Sequence, residues 1–157
     1  VGQRELPWYA EHKLADGAAA ALVGLVIQPD ATWQAVAVGD SCLFQMRAGE
    51  LIEAFPITRS DDFNNRPRLI SSHPPKKEPQ LQTASGVWQP GDELLLMTDA
   101  LAQWFLSKLE SQQDPVSGVR NLLDLHDNPA EQAVAIESLR DAEVLRNDDV
   151  ILSLIEV

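Results

Sequence analysis

Residues 91–105 read Gly-Asp-Glu-Leu-Leu-Leu-Met-Thr-Asp-Ala-Leu-Ala-Gln-Trp-Phe, and this stretch decides the fold. Glu93–Thr98 is an apolar run of strand length, introduced by the turn formers Gln89-Pro90-Gly91-Asp92. After Asp99 the period becomes helical, with Leu101, Trp104, Phe105 and Leu109 on one face. A buried strand thus carries an aspartate to its end and passes the chain into a helix.

Toward the N-terminus stand four more apolar segments: Ala20–Ile27, Thr32–Val38, Cys42–Met46 and Leu51–Phe55. Gln28-Pro29-Asp30, Gly39-Asp40-Ser41 and Arg47-Ala48-Gly49-Glu50 separate them, and short strands with tight turns predict an antiparallel meander. Ala20–Ile27 is almost continuously apolar, which predicts a central strand covered on both faces. Residues 7–16 read as the end of a helix, with Gly17 as its stop. Between Thr58 and Thr83 the apolar pattern fails, predicting a long connector with one apolar piece, Leu69-Ile70, and order returning at Gly86–Trp88.

Toward the C-terminus a second helix is expected over Val116–Leu125. A third has Asn128 as N-cap and Pro129 at its first position, and runs to about Leu139. Val150–Ile155 is the final strand. The order helix, meander, loop, hairpin strand, helices, last strand describes an α+β layered protein whose sheets pack under helices.

At 157 residues the chain is long enough for one domain with a core. Its 45% apolar and 23% charged residues are ordinary for a soluble globular protein, and no apolar run approaches the ~20 residues of a membrane span. A formal net charge of -12 repels phosphate backbones and argues against nucleic acid as a partner. The single cysteine, Cys42, excludes an internal disulfide and a thiolate-rich zinc site, which fits a cytoplasmic setting; its apolar neighbours predict a buried hydrophobe. His12, His73 and His126 lack metal spacing, and neither a Gly-rich phosphate loop nor a nucleophile elbow is present. Trp8, Trp33, Trp88 and Trp104 read as packing residues.

Three acidic positions share one structural address. Asp40 lies in the turn after Thr32–Val38, Asp99 closes Glu93–Thr98 and starts the helix, and Asp148 opens the last strand. Carboxylates brought together repel, and a hard divalent cation such as Mg or Mn removes that cost. The competing reading makes each a local turn or cap residue: Asp40 in a Gly-Asp-Ser turn, Asp99 as N-cap, Asp148 in an Asn-Asp-Asp turn.

The segments Val38-Gly39-Asp40-Ser41, Gly91–Leu101 and Asn147-Asp148-Asp149-Val150-Ile151-Leu152 occur in this order, after a small-residue strand at Gly17–Ile27. The chain thereby resembles the type-2C metal-dependent Ser/Thr protein phosphatases from about Gly17 to its end. Thr98-Asp99-Ala100-Leu101 is similar to a bacterial branch of that family. The resemblance implies an α-β-β-α sandwich of two antiparallel sheets flanked by helices. It makes Asp99 and Asp148 ligands of a catalytic Mg or Mn pair and Asp40 a ligand of a weaker third metal. It also implies a phosphorylated protein as substrate, hydrolysed by metal-activated water without a covalent phosphoenzyme. Ala100 replaces the usual Gly, Gln103 a frequent acidic residue, and Ile151 a frequent Thr.

The family's early Asp-Gly motif and phosphate-binding Arg would precede this stretch, and Asp16-Gly17 reads as a helix end instead. Residues 1–157 then correspond to the C-terminal portion of a single phosphatase-like domain. The alternatives are a catalytically inactive phosphatase-like regulatory or interaction module, and an unrelated α+β binding domain whose aspartates merely occupy turns.

Overall fold

The computed structural model describes residues 17–63, 67–72, 80–142 and 145–157. The expected helix over 7–16, Asp16, His12, His73 and Trp8 lie outside the described residues. Nine strands and three α-helices follow one another among those described. They are β1 (Ala19–Ala20), β2 (Leu22–Ile27), β3 (Thr32–Val38), β4 (Cys42–Arg47), β5 (Glu50–Phe55), β6 (Ile70–Ser71), β7 (Gln82–Val87) and β8 (Asp92–Met97). Then come α1 (Asp99–Glu110), α2 (Val116–Asp124), α3 (Pro129–Asp141) and β9 (Leu152–Glu156). A 3-10 turn, Ser60–Asp62, lies in the connector, which also holds β6 and the start of β7.

Two antiparallel sheets stack face to face: β2-β3-β7 and β5-β4-β8-β9, with a small β1-β6 pair beside them. Trp33, Ala35 and Ala37 of β3 meet Leu43, Phe55 and Leu94 across the interface. On the opposite face of the four-stranded sheet, Phe44, Met46, Leu95 and Met97 pack against Leu101, Trp104 and Phe105 of α1 and Val119 and Leu122 of α2. The Phe44 and Phe105 rings stack at 4.9 Å. Strand β4 is buried on both faces, Gln45 included. The α+β class holds, and the described residues supply a helical layer and the two sheets beneath it.

Three expectations are corrected. The four apolar segments do not form a continuous meander. β2 pairs with β3 and β4 with β5, but β3 and β4 belong to different sheets, so Gly39-Asp40-Ser41 is a crossover. Likewise β7 and β8 are not a hairpin, and the Gln89–Asp92 turn, closed by Asp92 N–H to the Gln89 carbonyl at 2.9 Å, steps between sheets. Strand β2 is an edge strand among the described residues, with Leu22 and Val26 exposed, rather than a central one. Apolar content alone does not tell how many faces are covered, since β2 needs only Val23, Leu25 and Ile27 for the inter-sheet core.

Smaller shifts are local. β7 starts at Gln82 because Ala84 and Gly86, too small to register as a strand pattern, face the core; a Cβ on Gly86 would lie 2.6 Å from the Trp33 ring. The last strand spans Leu152–Glu156, leaving Asp148 in the preceding loop rather than opening the strand. Asn128 does cap α3, its side chain accepting the Glu131 N–H at 3.4 Å. Ala48 and Gly49, both with positive φ, make the two-residue turn between β4 and β5.

A buried polar network sits in the sheets. The amide of Gln45, 1% exposed, accepts from Trp33 Nε1 at 2.9 Å and donates to Asp92 Oδ2 at 2.7 Å and to the Val87 carbonyl at 2.9 Å. Arg47 grips the fully buried Asp92 with Nε and Nη2, each at 2.7 Å. Those bonds hold the Asp92 carboxyl well below the usual carboxylate range; the Gln89 N–H and Gln45 amide assist, against the opposing effect of burial.

Candidate active site

Strand register places the three aspartates. Cys42 of β4 pairs with Met97 of β8, and Met97 with Leu152 of β9. Asp40 lies two residues before Cys42, Asp99 two after Met97, and Asp148 four before Leu152, so all three leave the four-stranded sheet at the same end. Asp40, Asp99 and Asp148 line one cavity of about 520 Å³, together with Asp149, Arg146, Pro67, Leu69 and Ala19–Ala21. The small side chains of Ala19–Ala21 leave room there. At the crossover Gly39 has φ +94°, and a Cβ on it would lie 2.9 Å from Ala21 Cβ, so glycine is required where the chain turns to present Asp40.

Each aspartate is fixed differently. Asp40 is 8% exposed, and its backbone carbonyl accepts the Cys42 thiol at 3.4 Å. Asp99 is the first residue of α1; the N-cap is Thr98, which makes no side-chain cap bond. The Thr98 hydroxyl instead accepts the Ile151 N–H at 3.0 Å and donates to the Asp149 carbonyl at 2.9 Å, tying the end of β8 to the Asp148 loop. Arg140, at the end of α3, donates to the Asp148 carbonyl at 2.6 Å. Asp148 Oδ1 accepts the Asp149 N–H at 2.8 Å.

The electrostatics link the groups. Burial raises the Asp40 pKa, the Asp99 carboxylate raises it further and Asp148 adds to that, while its own backbone bond and Arg146 work the other way. Arg146 Nη1 lies 3.8 Å from Asp99 Oδ2 and 3.4 Å from Gln103 Oε1. Arg146 also lines a second, polar pocket of about 350 Å³ with Ser60, Asp61, Gln103 and Ser107. That pocket is framed by the 3-10 turn, whose Ser60 N–H and hydroxyl both bond the Glu110 carboxylate on α1.

Among the described residues no three Asp, Glu, His or Cys groups stand close enough to enclose an ion by themselves. The possible donors there are carboxylate oxygens, which favour a hard cation, and their mutual repulsion, only partly offset by Arg146, is what a cation would relieve. Oxygen donors of this kind suit a hard divalent cation in general. His126 is exposed beside Asp127, far from this chemistry in character. Cys42 is fully buried and its thiol is pushed up to about 12, chiefly by burial. The residue that sequence reasoning missed is Arg146; its signal was an arginine two positions before Asp148 in a turn of acidic residues.

Residues 8–141 match the family model described as protein phosphatase 2C. The chain belongs to the protein phosphatase 2C family. Asp40 and Asp99 fall inside the matched stretch, and Asp148 lies beyond it. No curated protein matches the sequence.

Similar solved structures include PppA, titled a key regulatory component of T6SS in Pseudomonas aeruginosa, at 22% identity and TM-score 0.49, covering 92% of this chain and 61% of that one. The phosphatase domain of SpoIIE from Bacillus subtilis has 16% identity and TM-score 0.47, covering 95% and 62%. The catalytic domain of the serine threonine protein phosphatase PstP, in complex with two manganese ions, has 16% identity and TM-score 0.49, covering 94% and 65%. The chain therefore spans less than two thirds of the lengths of these structures. No helix among the described residues is long and apolar enough to cross a membrane.

Proposed function

We propose that these residues are the C-terminal portion of a Mg- or Mn-dependent protein serine/threonine phosphatase that hydrolyses phosphomonoesters on protein substrates. The observation that carries this reading is the convergence of Asp40, Asp99 and Asp148 on one cavity at a sheet edge. Family membership supports it. Asp99 and Asp148 would hold the catalytic cations and Asp40 a further one. Divalent cations bound there would lower the pKa of an attacking water and neutralise phosphoryl oxygens.

The chain's own contribution is placement. β8 and the Thr98 bonds set Asp99 against the Asp148 loop, and Arg140 holds that loop from α3. Gly39 presents Asp40 from the crossover between sheets. Asp40 is buried while Asp148 is exposed, so the cavity joins a partly desolvated carboxylate to one that faces water.

A second reading, an inactive phosphatase-like regulatory or interaction module, is favoured by one observation. The Arg146 guanidinium beside Asp99 already supplies positive charge to the acidic cluster. The deciding experiment is Mn-dependent hydrolysis of p-nitrophenyl phosphate by the full-length protein beside Asp99→Asn and Asp148→Asn. Metal-dependent turnover that collapses in both variants establishes the phosphatase. No turnover, with no Mn binding by calorimetry, leaves the binding module.

A further inference from the structure

We infer that Arg146 is a tethered counter-ion that competes with a divalent cation for Asp99 and so sets how tightly the acidic cavity binds metal, an inference that rests on the cation reading of that site. Asp40, Asp99, Asp148 and Asp149 line the cavity, and among the described residues lining it Arg146 carries the sole positive side chain. Arg146 Nη1 stands 3.8 Å from Asp99 Oδ2. Its charge is also felt at Asp40, where it opposes the rise in pKa that burial and Asp99 produce. One guanidinium thus already answers part of the repulsion that a metal ion would otherwise relieve alone.

The guanidinium is placed there by its neighbours. Gln103 Nε2 donates to the Ser60 carbonyl at 3.3 Å, which fixes the amide orientation and turns Oε1 toward Arg146 Nη1 at 3.4 Å. Ser60 is itself clamped by Glu110, whose carboxylate accepts its N–H at 2.9 Å and also its hydroxyl. Asp99, Gln103 and Glu110 all belong to α1. One helix therefore carries the carboxylate and, through the 3-10 turn, the acceptor that keeps the arginine beside it. The contact differs in kind from Arg47–Asp92, where two bonds of 2.7 Å close on a fully buried carboxylate. Arg146 and Asp99 are both partly exposed, and their 3.8 Å separation is a charge contact rather than a hydrogen bond, so an ion entering from solvent can take over Asp99. It does so against the repulsion of the arginine: in water-like surroundings one unit charge about 6 Å from a divalent ion weakens its binding about tenfold. The cavity therefore binds a cation more weakly than its carboxylates alone would allow.

The test is Mn binding to the full-length protein by calorimetry, with bound ions counted by electron paramagnetic resonance, for wild type, Arg146→Gln and Arg146→Lys. Circular dichroism checks folding. Arg146→Gln is expected to bind Mn about tenfold more tightly, or to take up an additional ion, while Arg146→Lys, which keeps the charge, stays near wild type. Should Arg146→Gln fail to fold, Arg146→Met keeps the aliphatic stem without the charge and is read the same way. Equal or weaker Mn binding in the neutral variant overturns the inference, and Mn-dependent turnover by wild type would then leave the phosphatase reading standing. Arg146→Lys shifting as far as Arg146→Gln overturns it too, because charge would not be the cause. If neither wild type nor the neutral variant binds Mn, the inference falls together with the cation reading. Mn binding in the neutral variant alone sustains the inference and counts against catalysis by the wild-type protein.

Discussion

Gln45→Leu tests whether the buried polar network holds the two sheets in register. Gln45 is central in β4, and its amide links Trp33 of the facing sheet to Asp92 of the neighbouring strand. Leucine fills a similar volume but cannot accept or donate. The indole N–H of Trp33, itself 1% exposed, would be left buried without a partner, at a cost of about 1–3 kcal/mol. Asp92 would lose one donor while keeping Arg47 and the Gln89 N–H, adding about 1.5 kcal/mol. The part-buried Val87 bond adds less, and the apolar surface of leucine returns some of the loss.

The net expectation is about 3 kcal/mol of lost stability, which for a chain of this size lowers Tm by roughly 6–12 °C. Thermal and urea unfolding, followed by tryptophan fluorescence, would measure it. The cycle with Trp33→Phe isolates the cause. If the indole N–H is what suffers, the double variant should be less destabilised than the two single losses combined, by about 1 kcal/mol or more. A Gln45→Leu protein within about 0.5 kcal/mol of wild type, or strict additivity in the cycle, would refute the reasoning. Gln45 lies three residues, about 10 Å, from Cys42 at the aspartate end of β4, and its bonds run to the other end, so the turnover proposed above should survive in Gln45→Leu below its melting point.

Asp92 gives a pH signature. Its folded pKa is depressed, first by Arg47, so its stabilisation is complete above the unfolded carboxylate value of about 3.9 and is lost as pH falls from there toward the depressed folded pKa. Melting wild type and Asp92→Asn from pH 7 to pH 3 should show the widest gap at pH 7 and a narrowing one in acid, and parallel curves would contradict the assignment. Cys42 should be inert: fully buried, with its pKa pushed up to about 12, it is a neutral thiol at pH 8 and should react with Ellman's reagent only after unfolding. Prompt labelling of the native protein would show that β4 is not the closed core strand described above.

Much of this protein can be read from local pattern. The period change at Thr98-Asp99 marks where β8 ends and α1 begins, Asn128-Pro129 marks the start of α3, and the apolar Cys42–Met46 run marks a strand. These features are encoded within a few residues, because turn chemistry, capping and side-chain period act over that range. So too are the strand-end positions of Asp40 and Asp99.

Only the tertiary structure decided which strands share a sheet. Gly39-Asp40-Ser41 is as compatible with a hairpin as with a crossover, and the choice falls to the faces of β3 and β4. Trp33, Ala35 and Ala37 have to meet Leu43 and Leu94 across the sandwich instead of lying beside them. That crossover is what brings Asp40 to the wall of the cavity. The same holds for Gln45, whose partners Trp33, Val87 and Asp92 come from three other strands or their ends, and for Arg146, which the fold sets beside Asp99 and Gln103. Sequence sets the period and the donors of each segment; burial of shared apolar faces sets which distant segments meet, and with them which charges must live together.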